Sequence, residues 1–73
     1  QAYTGLAVKD KSKATLQDVI LVNSEFEAML AYNKNFRYDE GGSIKGKNIF
    51  IFGNDKINFD KKSIISIERN NKP

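Results

Sequence analysis

Hydrophobic and polar positions are organised most sharply between residues 47 and 69, KNIFIFGNDKINFDKKSIISIER. Isoleucine and phenylalanine fill Ile49 to Phe52, side chains that suit a pleated, half-buried surface better than a helix. Gly53-Asn54 interrupts the run, and glycine at the first central position accepts the positive φ of a type II′ turn, so the pattern predicts a two-residue hairpin. That register sets Phe52 opposite Asp55, Phe50 opposite Ile57 and Asn48 opposite Phe59, and gathers Phe50, Phe52, Ile57 and Phe59 on the core face. A three-residue loop would gather Ile49, Ile51, Ile57 and Phe59 instead. Asp60-Lys61-Lys62-Ser63 predicts a second corner before Ile64, Ile65 and Ile67 resume. The first strand of this meander is apolar on both faces, so Ile49 and Ile51 need cover from elsewhere.

Upstream, Tyr3 to Val8 is a short β-prone run and Lys9 to Lys13 a charged break. Thr15 to Val22 is aliphatic and β-branched, and predicts a central strand. Residues 24 to 34, SEFEAMLAYNK, read two ways. As a helix they carry a capping box, Ser24 with Glu27, and a stripe of Phe26, Met29 and Leu30. As a strand they alternate, with Phe26, Ala28, Leu30 and Tyr32 on one side. The pattern of the whole chain selects the strand and leaves the helix, in an α+β arrangement, as the alternative. Residues 39 to 46 read as a flexible glycine-rich loop, residues 70 to 73 as a fraying tail, and no internal repeat is evident. The expected fold is mainly β: one domain over residues 1–73, with its core at about 3–69, built as a single five-stranded small barrel of the SH3 or Sm kind.

Part of that expectation rests on a resemblance. Val19 to Asn33, VILVNSEFEAMLAYN, resembles the first Sm motif, with Ser24 and Ala28 where the family prefers glycine, Leu30 at its aliphatic position and Asn33 where it prefers aspartate. Lys61-Lys62-Ser63-Ile64 is similar to the Lys-His-Ala-Ile corner of the bacterial Sm-like RNA chaperone. The likeness covers about residues 15 to 69, with residues 37 to 46 as an insertion. It implies a ring-forming RNA binder whose RNA path would be lined by Asn33, Asn35, Lys61 and Lys62.

Composition narrows the function. The 73-residue chain has no Cys and no His, which removes disulfides, thiolate metal sites, the commonest metal ligand and the usual general base. No acid spacing resembles a calcium loop, no motif calls for a cofactor, and Asp55 and Asp60 stand at turns, so an enzyme is not expected. GGSIKGK, residues 41 to 47, lacks the spacing of a phosphate-binding loop and reads as a connection. No apolar run is long enough for a membrane-spanning helix. The absence of cysteine fits a cytoplasmic bacterial or phage protein, and a chain starting at Gln reads as a processed or truncated product.

Charge is uneven. The net +3 divides into a basic start, an acidic middle over residues 16 to 40 and a basic C-terminal part. Tyr32 to Tyr38 interleaves aromatic, amide and basic side chains, the composition with which single-stranded nucleic acid is bound through base stacking and phosphate pairing. Lys34, Asn35, Phe36, Arg37 and Tyr38 are therefore candidate nucleic-acid-binding residues for single-stranded RNA or DNA, and the Sm resemblance implies Lys61 and Lys62 beside them. The plainer account has Tyr32, Phe36 and Tyr38 closing one end of the core. The alternative function is a protein-interaction or assembly subunit, pairing or self-associating through a strand edge or through Ile49, Ile51 and Ile64.

Overall fold

The computed structural model describes residues 4–22, 25–35 and 37–70. Six strands follow in order: β1 (Thr4–Lys9), β2 (Lys13–Val22), β3 (Glu27–Tyr32), β4 (Ser43–Phe52), β5 (Ile57–Phe59) and β6 (Ile64–Arg69). Odd strands form one three-stranded sheet, β1-β3-β5, and even strands the other, β2-β4-β6. Every pairing is parallel. Each odd strand turns through a corner into an even one, so the chain climbs in three rungs as a short parallel β-solenoid.

This corrects the expected five-stranded SH3/Sm-like barrel. There are two separate open sheets, and the Gly53-Asn54 hairpin does not form, because β4 and β5 belong to different sheets. Gly53 does take a positive φ of 92°, but the chain uses it to cross from one sheet to the other. The same glycine chemistry serves a hairpin and a crossing equally, and nothing local to the turn distinguishes them. Residues 27–32 are strand, and no helix occurs among the described residues. Ser24 of the capping box and Tyr3 of the first run lie outside the described residues.

One hydrophobic cluster fills the space between the sheets. Its fully buried large side chains, Met29, Ile44 and Ile49, all belong to the middle rung, which alone has a neighbour above and below. Leu6, Leu16, Val19 and Leu21 from the first rung and Ile57, Ile65 and Ile67 from the third pack around them, partly buried. Ile49 and Ile51 therefore face the core. Phe50 and Phe52 point outward and stack on each other with centroids 6.0 Å apart, which reverses the expected face assignment.

A bulge explains that reversal. In β2 the inward residues are Ala14 and Leu16 before Asp18, and Val19 and Leu21 after it. Asp18 sits at φ 57° and Asn48, its counterpart in β4, at φ 56°, and each such residue resets the alternation by one. The side chains form a ladder across the rungs, Asn70 Nδ2 donating to Asn48 Oδ1 at 2.5 Å and Asn48 Nδ2 to Asp18 Oδ1 at 2.6 Å.

Candidate nucleic-acid interface

Three corners stack at one end of the solenoid: residues 10–12, 33–42 and 60–63. Asp10 and Lys11 turn the first with φ values of 45° and 64°. Asp10 Oδ1 accepts from the backbone nitrogens of Lys34 at 2.7 Å and Asn35 at 3.1 Å, tying the first corner to the second. Asp60 Oδ2 accepts from the Asn33 nitrogen at 2.7 Å, tying the third to the second. Its other oxygen accepts from the Ser63 hydroxyl at 2.7 Å, and these donors, the Ser63 bond foremost, hold the carboxyl below the usual aspartate range.

The second corner is the longest, and two devices order it. The Asn33 amide nitrogen lies 3.0 Å from the Glu40 carbonyl oxygen and 3.2 Å from that of Tyr38, cinching the loop from inside. Asn35 Oδ1 accepts from the Arg37 nitrogen at 3.0 Å in an Asx turn. Gly41 and Gly42, expected in a loop running to residue 46, are buried, and β4 begins directly at Ser43. A β-carbon on Gly42 would lie 2.0 Å from the Val8 carbonyl oxygen, so only glycine lets the second corner settle onto the first.

Stacking brings together what the sequence separates. Lys34, Asn35, Arg37 and Tyr38 occupy the middle corner, and Lys61 and Lys62 the one beside it. Phe36 lies outside the described residues. Lys11 from the first corner places its ammonium 5.7 Å from the centre of the Tyr38 ring and 3.7 Å from an Asp39 oxygen. Lys9, Asp10, Lys34 and Asn35 line a small recess between the first two corners.

Sequence reasoning missed the adjoining outer face of the β2-β4-β6 sheet. Outward positions there stack in columns, Lys13 beside Ser43 and Ile64, then Thr15 beside Lys45 and Ser66, then Gln17 beside Lys47. An open groove of about 410 Å³ lies across the first columns, with Lys13, Lys45 and Lys62 around hydroxyls of Thr15 and Ser43, and Glu40 at its rim. A second groove of about 400 Å³ continues past Lys45 and Lys47 to Glu68. Corner and face together hold nine of the chain's twelve basic side chains: Lys9, Lys11, Lys13, Lys34, Arg37, Lys45, Lys47, Lys61 and Lys62. The opposite end, where β2 passes to β3 and β4 to β5, carries Glu25, Glu27 and Asp55 against Lys56 and Arg69, the last paired with Asp55 at 3.2 Å. Only a register for the rungs would have exposed this grouping in the sequence.

Among the described residues no cluster of acids could hold a metal ion, and no helix is long and apolar enough to cross a membrane. Comparison with known proteins finds no matching family model, no matching curated protein and no matching solved structure.

Proposed function

We propose that this chain is a non-enzymatic binding module that holds single-stranded nucleic acid along its corner edge and the adjoining outer face of the β2-β4-β6 sheet. The observation that supports it is the gathering of lysines from all three rungs at one end of the molecule, beside a partly exposed tyrosine ring. Lys45 and Lys47 are two residues apart on one strand face, a spacing of about 6.8 Å along the pleat, which suits an extended backbone laid across the sheet. Asn35, Lys34 and Arg37 meet it at the corner, and Tyr38 offers a stacking surface. Asp10 and Asp60 act as positioning groups, because their oxygens are engaged by corner donors.

Fluorescence anisotropy with labelled single-stranded RNA and DNA tests the reading. Four phosphate contacts weaken binding about fiftyfold between about 50 and 200 mM salt. Replacing Lys13 and Lys45 together by Glu is expected to abolish binding without unfolding the chain. Absent binding, or binding indifferent to salt, overturns the proposal.

A protein-assembly role is the second reading, favoured by the outer face beyond the bulge. Ile20, Val22 and Phe52 are 61%, 54% and 54% exposed there, beside Phe50. Of the residues first considered for self-association, Ile49 is fully buried and Ile51 half-buried, whereas Ile64 is exposed.

A further inference from the structure

The two ends of the rung stack differ. The third rung tapers to strands of three and six residues, but the first presents strands of six and ten, the same lengths as the middle rung. The edge of β2 is therefore a full-length row of backbone groups without a neighbouring strand among the described residues. Its inward Ala14 and Val19 are only partly buried, while their middle-rung counterparts Ile44 and Ile49 are wholly so.

The burial of β2 along its ten residues has a symmetry of its own. Ala14, Leu16, Val19 and Leu21 point in, and Lys13, Thr15, Gln17, Asp18, Ile20 and Val22 point out, a pattern that reads the same from either end. Its centre lies between Gln17 and Asp18, at the bulge. Two copies of β2 laid antiparallel about that centre match inward against inward at every position, with Ala14 opposite Leu21, Leu16 opposite Val19 and Gln17 opposite Asp18 of the second copy. A slip of two residues would set Leu16 against Gln17 and lose the match. A strand complementary to itself under a two-fold rotation is what an isologous dimer needs.

Charge agrees with the same arrangement. The rotation lays the basic corner of one copy, with Lys9, Lys11 and Lys13, against the end of the other that carries Glu25 and Glu27. At the centre, the Gln17 amide can donate to the Asp18 carboxylate of the second copy. Asp18 is the terminal acceptor of the Asn70-Asn48-Asp18 ladder, its Oδ1 accepting from Asn48.

We propose that the β2 edge is a self-association surface, and that a second copy of this chain pairs with it antiparallel to make a continuous six-stranded sheet. The inference extends the assembly reading and does not require nucleic-acid binding, although Lys9, Lys11 and Lys13 belong to both surfaces. Sedimentation velocity across a concentration series is expected to show a closed dimer. Gln17→Glu sets two carboxylates opposite each other twice per dimer and is expected to weaken it about tenfold, whereas Gln17→Lys strengthens it.

Because the chain has no cysteine, single substitutions then read the register. Gln17→Cys places two thiols about 6 Å apart by Cα and gives a disulfide-linked dimer on oxidation, while Lys13→Cys, about 30 Å from its mate, does not. A monomer, an open series of growing oligomers from head-to-tail stacking of the third rung on the first, or equal cross-linking at both positions overturns the proposal. Anisotropy titrations that fail while the dimer persists would sink nucleic-acid binding alone.

Discussion

Gly42 shows how far one residue constrains this architecture. Its Cα rests against the backbone of Val8, its nitrogen is 3.2 Å from the Tyr32 carbonyl oxygen, and its own carbonyl accepts from Ile64 at 3.0 Å, so it touches all three rungs. Gly42→Ala drives a methyl into the Val8 carbonyl and is expected to cost about 3 kcal/mol, read as a fall in thermal midpoint of more than about 10 °C. Asp60 makes a different prediction. Its folded-state pKa lies below the unfolded value, so its contribution is present at neutral pH and is lost as pH falls below the ordinary aspartate value of about 4 and through the depressed one. Urea midpoints measured from pH 5 down to 2.5 should fall more steeply for the natural chain than for Asp60→Asn. Equal slopes would show that the corner carboxylate contributes nothing through its charge.

Strands were largely legible in the sequence, and their pairing was not. The runs at residues 3–8, 15–22 and 49–52 announce themselves by β-branched and aromatic content, and the strand over 27–32 emerges against local helix propensity because it is the middle strand of its sheet. The repeat escaped notice because rungs are unequally spaced: Thr4 pairs with Glu27, Met29 with Ile57, Lys13 with Ser43 and Ser43 with Ile64. A usable signal was present in Asp10-Lys11-Ser12 against Asp60-Lys61-Lys62-Ser63, and in Asp18-Val19 against Asn48-Ile49. Composition singled out the candidates at 34–38 and the Sm resemblance those at 61–62, but Lys13, Lys45 and Lys47 gain their meaning only from the register. The bulge ladder is the element's own test. Asn48→Ala loses both amide bonds and strains the left-handed backbone, at about 2 kcal/mol, whereas Asn48→Gly keeps the backbone and costs about half as much in urea unfolding. If the two variants are equally unstable, the positive φ carries no cost and the side-chain ladder alone sets the bulge.

At the scale of the whole molecule, charge is polarised along the strands and exposure is polarised across the stack. Two-fold pairing at the β2 edge would engage Lys9, Lys11 and Lys13, whereas Lys34, Lys45, Lys47, Lys61 and Lys62 lie on the second and third rungs, so these last remain for salt-sensitive binding in a dimer. In the two-fold arrangement the outer faces of two copies would join into one sheet, with the Lys13, Lys45 and Lys47 track of one copy at one end of it and that of the other copy at the opposite end. A single dimer would then carry two such tracks running in opposite directions.

The all-parallel pairing has a last consequence, and it concerns time. No strand here can find its partner through a tight turn, since every paired residue lies between about twenty and thirty positions away and the intervening chain must cross the other sheet first. Each pairing closes a loop of that length before any contact rewards it, which places the chain among slow folders for its size. The middle rung supplies every fully buried large side chain among the described residues, and each strand pairing includes β3 or β4, so folding is expected to propagate through these two strands wherever it begins.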